Sequence, residues 1–184
     1  MQPQIEAPIT LPRPKPVLLI LLLLISASCT KRTGNNAPST SNPEAGKPRN
    51  SIDVVKVSAL PVEIKQNDSG DAVVQLNIEN GYHVNANPPT FPYLKATELE
   101  LSQTPGVSVS FIVYPNPITK SFAFAEKPLA VYEGKTDIKV KLRADKSAKP
   151  GTQNLSAKLR VQACDEQVCY APGTLDVSIP LTIK

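Results

Sequence analysis

Hydrophobic and polar residues alternate with a period of two along several stretches after residue 50. In the clearest stretch, 136–144, Ile138, Val140 and Leu142 alternate with basic side chains. A period of two places the apolar side chains on one face of a β-strand and the polar ones on the other. No window of comparable length has a helical period. The same reasoning predicts further strands at 53–60, 61–66, 71–79, 99–101, 107–113, 151–163 and 175–183.

The number and spacing of these strands indicate an all-β fold. Seven to nine short strands separated by turn residues in about 134 residues are typical of an immunoglobulin-like antiparallel β-sandwich. A closed barrel is the alternative arrangement. The proline-containing segments 81–93 and 114–128 are predicted as loops. Both contain aromatic residues, and loops on a rigid β scaffold often carry the binding function.

The first 28 residues have the composition of an export signal. Two basic residues precede the nine-residue aliphatic run 17–25, and small residues follow it up to Cys29. This order is typical of a signal peptide, and the run is too short for a membrane-spanning helix, which needs about 20 residues. We predict a lipoprotein-type signal at 1–28 with Cys29 as the lipidated residue. Lipoboxes usually have an aliphatic residue where this chain has Ser26, so a plain signal peptide is the alternative.

Residues 29–50 are rich in Ser, Asn, Pro, Gly and basic residues and contain few apolar side chains. Such a composition does not bury a core, so we predict a disordered tether with a root-mean-square reach of roughly 25 Å. The folded domain is predicted at 51–184, exported and held near a membrane surface by the lipid anchor.

The positive charge of the chain resides in its N-terminal part. The formal net charge is +4, but residues 51–184 contain fourteen basic and fourteen acidic residues. A nucleic-acid-binding domain concentrates basic residues on its folded surface. We therefore predict that this domain does not bind nucleic acid.

Cys164 and Cys169 are the two cysteines of the predicted domain, and the four residues between them suit facing strands of a disulfide-bridged hairpin. Cys164 has the polar parity of its strand, so its sulfur is expected to point away from the core unless a bulge intervenes. A loop of about six residues gives a disulfide only roughly 2 kcal/mol of entropic stabilisation. The neighbouring Asp165 and Glu166 disfavour a thiolate, which predicts a pair that reacts fast only with a docked partner.

Other chemistries have less support in the sequence. Two cysteines and the single His83 are not a recognisable zinc ligand set, so we predict no metal and no other cofactor. A hydrolase lacks a nucleophile spaced to partner His83. An inert disulfide in an exported sandwich remains an alternative.

Three motifs are similar to those of a known family: VQACDEQVCYAP at 161–172, GYHVNANP at 81–88 and VYEG at 131–134. Over 51–184 the chain resembles the N-terminal periplasmic domain of the DsbD family of thiol:disulfide interchange proteins. The resemblance implies an immunoglobulin-like sandwich whose cysteine pair takes electrons from a membrane-embedded thiol reductase. It also implies that the pair passes them to periplasmic thioredoxin-like proteins by thiol exchange.

The resemblance further implies roles for individual residues. Cys169 would bond the partner, and Cys164 would resolve the mixed disulfide. The family has a cap loop whose aromatic residue covers the sulfurs, and the matching segment 119–130 offers Phe124, or else Phe122. The alternative is that both rings are core aromatics. The residues expected near the site are Tyr82, His83, Asp165, Glu166 and Tyr170.

Two features depart from the family. Its best-known members have one residue more between the cysteines than the four present here, which is expected to alter the loop geometry. The transmembrane and thioredoxin-like domains of full-length members are not in this sequence, so donor and acceptor are expected to act in trans. Two hypotheses follow: a lipid-anchored thiol:disulfide oxidoreductase domain, and a non-catalytic binding module with a structural disulfide.

Overall fold

The computed structural model describes residues 50–184. The predicted signal peptide, Cys29 and the predicted tether up to residue 49 lie outside the described residues. A 3₁₀ helix, Ser51–Val54, is capped by Asn50 and precedes twelve strands. No helix within residues 50–184 has the length and apolar composition needed to cross a bilayer. The strands are β1 Val55–Ala59, β2 Val62–Ile64, β3 Ser69–Ile78, β4 His83–Asn85, β5 Glu98–Leu101, β6 Val107–Val113, β7 Ile118–Lys120, β8 Leu129–Tyr132, β9 Lys135–Ala144, β10 Gly151–Val161, β11 Ala163–Cys164 and β12 Gly173–Ile183.

The strands form three four-stranded sheets. Sheet A has the order β1-β3-β9-β6, sheet B the order β2-β12-β10-β5, and sheet C the order β11-β4-β8-β7. The pairings are antiparallel except for that of β2 with β12, which is parallel. Strand β10 pairs with β12 over its whole length, and this long ladder leads into the cysteine hairpin.

The main core lies between sheets A and B. Val74 of β3 and Val140 of β9 belong to the same buried cluster as Leu159 of β10 and Ile179 of β12. Alternation along each strand directs these side chains inward and the intervening polar ones to the outer faces. The predicted immunoglobulin-like antiparallel β-sandwich is therefore confirmed.

Sheet C differs from the sequence-based prediction. The segments 81–93 and 114–128 were predicted as loops, but they contain β4 and β7. The twelve strands also exceed the predicted seven to nine. These two strands have three residues each and β11 has two, which is too short for alternation to be recognised in a sequence window.

Candidate redox site

Cys164 and Cys169 are joined by a disulfide at the tip of a hairpin. Cys164 ends β11, and an isolated antiparallel bridge pairs it with Cys169. The backbone N–H of Asp165 donates to the carbonyl oxygen of Val168 at 2.9 Å, which closes the turn between the two cysteines. The hairpin predicted from the cysteine spacing is confirmed.

The carboxylate of Asp165 organises the loop between the cysteines. Its Oδ1 accepts hydrogen bonds from the backbone N–H groups of Gln167 at 2.7 Å and Val168 at 2.8 Å. Its Oδ2 accepts a hydrogen bond from the hydroxyl of Tyr170 at 2.5 Å. This hydrogen bond raises the pKa of Tyr170 to about 12, because it favours the protonated phenol over the phenolate. Asp165 thus holds the loop in a defined turn, as aspartate commonly does.

The second acidic residue of the loop, Glu166, is paired with a cation from another strand. Its Oε1 lies 2.8 Å from Nζ of Lys120, at the end of β7. The same Nζ lies 2.9 Å from Nε2 of His83, which in turn lies 3.1 Å from Oε2 of Glu133. Lys120 therefore offsets part of the negative charge that Asp165 and Glu166 bring beside the cysteines.

A second, smaller hydrophobic cluster lies on the face of sheet C that is turned away from the main core. His83 of β4 and Cys164 of β11 are cross-strand partners, so their side chains lie on the same face of sheet C. The second cluster packs on this face. The ring of Phe122 meets the imidazole of His83 edge to face, with 5.4 Å between the ring centroids. The second cluster consists of Phe122, Leu129 and Val131, with Phe91, Leu94 and Ala125 partly buried against it.

Cys164 is fully buried, with 0% exposure. Its neighbour Ala163 belongs to the main core, whereas Cys164 does not. The direction of the side chain therefore agrees with the parity of the strand. The side chain is nevertheless buried, and on the same face Phe122, distant in sequence, packs against His83, the cross-strand partner of Cys164.

Cys169, in contrast, is partly exposed and borders a groove of about 330 Å³. Phe124 lies at this groove and is 40% exposed. Its ring centroid is 5.2 Å from that of Phe122, which is 5% exposed. The two cap candidates therefore differ: Phe122 is packed inside the second cluster, and Phe124 borders the same groove as Cys169. The other groove-lining residues are Tyr93, Leu94, Ala125, Leu129, Gln162, Gln167 and Val168.

The remaining residues predicted near the site also lie at the hairpin. The rings of Tyr82 and Tyr170 have centroids 6.2 Å apart. His83 is buried, and its Nδ1 has no hydrogen-bond partner within the described part of the chain. No group of three or more His, Cys, Asp or Glu side chains that could hold a metal ion occurs between residues 50 and 184.

Ser51 holds the base of the hairpin through hydrogen bonds, and its role was not predicted from the sequence. The hydroxyl of the fully buried Ser51 donates to the carbonyl oxygen of Ala171 at 2.7 Å and accepts from the N–H of Ala163 at 2.8 Å. A single serine, far away in sequence, thereby holds both arms of the hairpin. Nothing in its local sequence distinguishes it.

Gln162 is a second clamp that sequence reasoning did not identify. Its Oε1 accepts hydrogen bonds from Nδ2 of Asn85 at 3.1 Å and from the N–H of Lys95 at 2.7 Å. Its Nε2 donates to the carbonyl oxygen of Tyr170 at 3.3 Å. The side chain joins the hairpin to β4 and to the loop that follows it. The motif at 81–88 includes Asn85 and is the sequence feature that could have indicated this contact.

The comparison with protein families agrees with this geometry. A family model described as the N-terminal domain of the thiol:disulfide interchange protein DsbD matches residues 53–180, which is more than half of the chain. The chain belongs to the DsbD N-terminal domain family. A search of curated proteins gives no match.

Solved structures of two bacterial periplasmic domains are similar to the chain. The N-terminal periplasmic domain of ScsB from Proteus mirabilis has 18% sequence identity and a TM-score of 0.49, and the similarity covers 71% of this chain and 47% of that one. The chain thus spans about half of that ScsB structure. The reduced N-terminal domain of DsbD from Neisseria meningitidis has 19% identity and a TM-score of 0.40, with 67% of this chain and 82% of that one covered.

Proposed function

We propose that the domain at 51–184 exchanges its disulfide with thiol partners, and that Cys169 is the sulfur that the partner attacks. The observation that carries the proposal is the unequal exposure of the two sulfurs. Cys164 is fully buried, whereas Cys169 borders an apolar groove. Thiol–disulfide exchange requires access of the attacking thiolate to one sulfur. Membership of the DsbD N-terminal domain family supports the same class of reaction.

The proposed exchange has two steps, which balance in atoms and electrons. The thiolate of a reduced partner attacks Sγ of Cys169, the Cys164–Cys169 bond breaks, and Cys164 leaves as a thiolate that takes up a proton. A second thiolate of the partner then attacks the partner sulfur of the mixed disulfide and releases Cys169 as a thiolate. The partner is oxidised by two electrons and the domain is reduced by two. With an acceptor disulfide, Cys169 attacks first and Cys164 resolves the mixed disulfide.

Within this proposal, Phe124 shields the pair until a partner docks. Its position at the groove, beside Cys169, supports this role. Phe122 is packed in the second cluster and supports the cap loop from below. Tyr93 and Val168 are exposed apolar residues of the same groove, and they supply a surface that a docked partner would bury.

The proposed setting is the periplasmic side of a membrane. The sequence pattern supports export by 1–28, lipidation of Cys29 and a tether at 29–50. The proposed electron donor is a membrane-embedded thiol reductase, and the proposed acceptors are periplasmic thioredoxin-like proteins. A tether with a reach of roughly 25 Å keeps the domain near such a donor without embedding it.

The experiment compares the wild-type chain with the Cys164→Ser/Cys169→Ser double variant. Each is mixed with a reduced bacterial thioredoxin, and the redox state of both proteins is followed by thiol alkylation and mass spectrometry. The wild type is expected to become reduced while the thioredoxin is oxidised, and the folded double variant leaves the thioredoxin unchanged. A wild-type disulfide with a reduction potential below about −300 mV, inert to the thioredoxin, would instead support a binding module with a structural disulfide.

A further inference from the structure

The outer face of sheet A carries an unbalanced positive charge. The register of β3, β9 and β6 places Arg143, Lys141 and Lys139 in successive rows of this face. Lys135 and Lys56 occupy its last row, since both pair with Asn77. Five basic residues therefore lie on one face of a domain whose basic and acidic residues are equal in number.

Few of these cations are neutralised. Lys141 lies 2.7 Å from the carboxylate of Asp71. Asp137, the other acidic residue in these rows, accepts a hydrogen bond from Gln75. Within residues 50–184, Lys135 and Lys139 form no ion pair with an acidic side chain. The face therefore keeps a net positive charge that attracts anions.

The outer face of sheet B provides the contrast. Its Lys158 lies 3.0 Å from the carboxylate of Asp176, and its Arg160 is paired with Glu98. The cations of that face are balanced by neighbouring carboxylates. The charge asymmetry is thus a property of sheet A rather than of the whole domain.

Exposed apolar side chains lie next to the cations of sheet A. Phe111 is 55% exposed and Val113 is 47% exposed. Their cross-strand partners are Lys141 and Lys139, because a register shift after Val109 turns this part of β6 outward. Strand β6 is also the edge of the sheet. Adjacent exposed apolar residues with a basic border are typical of an interaction surface.

The same face is concave where cations and apolar residues meet. A cleft of about 680 Å³ is lined by Lys135 and Lys139 together with Val113 and Tyr114. A second cleft, of about 360 Å³, is bordered by Lys56 and again by Lys135. Asp137 also lines both clefts, so each recess has two lysines against one carboxylate and keeps an excess of positive charge.

We propose that the outer face of sheet A rests on a bilayer surface containing anionic phospholipid. The ammonium groups meet the lipid phosphates, while Phe111 and Val113 enter the boundary between headgroups and acyl chains. A soluble polyanion would satisfy the lysines but leave both apolar side chains in water. Pairing of two copies through the edge strand β6 would extend sheet A and leave the side chains of Phe111 and Val113 on its outer face, still in water. The aliphatic run 17–25 in the preceding chain supports a location near a membrane.

A single tryptophan tests the proposal, because the chain contains none. Phe111→Trp places the reporter on the proposed membrane face, and Ser178→Trp places it at an exposed position on the outer face of sheet B. Each full-length variant is mixed with vesicles containing brominated phosphatidylglycerol or only brominated phosphatidylcholine. Both variants share the same N-terminal region, so any anchor affects them equally. We expect bromine to quench Phe111→Trp at least about twofold more than Ser178→Trp on the anionic vesicles, and less at high salt.

Two charge variants complete the test. Lys135→Gln/Lys139→Gln in the Phe111→Trp background is expected to abolish the excess quenching. Lys158→Gln/Arg160→Gln removes the same charge from sheet B and is expected to preserve it. Equal quenching at the two tryptophan positions would overturn the proposal. The proposal would also be overturned if the Phe111→Trp reporter were shielded from solvent without lipid and sedimentation detected a dimer. A second copy of the chain would then cover the outer face of sheet A. Neither result depends on thiol exchange.

Discussion

The two phenylalanines of the cap loop are expected to respond differently to truncation. Phe122 is 5% exposed within the second cluster, so Phe122→Ala leaves a cavity beneath the cap. Buried Phe→Ala changes cost about 3–5 kcal/mol, and the small size of this cluster favours the lower end, about 3 kcal/mol. Phe124 is already 40% exposed. Full burial of such a side chain contributes roughly 1.5–3 kcal/mol, so Phe124→Ala is expected to cost only about 1 kcal/mol.

The two variants also separate shielding from packing. If contacts of Phe124 hold the cap closed by about 1 kcal/mol, their removal raises the accessible fraction of Cys169 by up to about fivefold, since 1.4 kcal/mol corresponds to tenfold. The rate of reduction by a small thiol such as dithiothreitol should increase by the same factor. Phe124→Ala should therefore combine a small loss of stability with faster reduction.

Urea denaturation of the oxidised protein, followed by far-ultraviolet circular dichroism, measures the stability. Thiol alkylation at timed intervals measures the reduction rate. Leu60→Ala is the control, because Leu60 is 46% exposed and lies outside the groove. It should leave the reduction rate unchanged. A Phe124→Ala variant that loses about 3 kcal/mol without faster reduction would refute the assignment of the cap to Phe124.

Two further predictions concern local geometry. The phenol of Tyr170 should ionise near pH 12, and its pKa should fall towards the ordinary value of 10 in Asp165→Asn. Because the pKa is raised in the folded state, the hydrogen bond stabilises the fold fully below pH 10. This stabilisation is lost as the pH rises to 12. Carbon NMR of the tyrosine rings measures both, and an unchanged pKa in the variant would contradict the assigned cause. Gly106→Ala should cost at least about 2 kcal/mol, because φ is +75° and the new Cβ would lie 2.5 Å from Cα of Ala148. Gly134→Ala is the control, because φ is +58° and nothing lies within 4 Å of the new Cβ, and it should cost about 1 kcal/mol by urea denaturation. Equal losses of stability in the two variants would rule out the contact with Ala148 as the cause.

The sandwich could be predicted because its long strands carry a clear alternation. Strands β3, β9, β10 and β12 have ten or eleven residues each, and a buried core on one side forces apolar residues onto one parity. Sheet C gives no such signal. Its strands have two to four residues, and the inner strands β4 and β8 are covered on both faces, one by the main core and one by the second cluster.

The candidate site was predictable only where its chemistry is local in sequence. The spacing of Cys164 and Cys169 predicted the hairpin, and the parity of the strand predicted the direction of Cys164. The burial of Cys164 is not encoded in the parity of its strand, and Phe122 meets His83, the cross-strand partner of Cys164, only after folding. Lys120 and Ser51 act on the hairpin over similarly large sequence separations. No pattern within a single strand reports contacts of that kind.

The most direct test of the central claim is the trapping of a mixed disulfide on each cysteine separately. Cys164→Ser and Cys169→Ser are prepared in a Cys29→Ser background, so that no third thiol competes. Each reduced variant reacts with a thioredoxin whose surface cysteine has been activated by 5-thio-2-nitrobenzoate, and release of the chromophore gives the rate. We expect fast, stable formation of the mixed disulfide by Cys164→Ser, whose remaining cysteine borders the groove. The rate should be at least about tenfold lower for Cys169→Ser, whose remaining cysteine is buried. Equal rates, or faster trapping on Cys164, would contradict the claim.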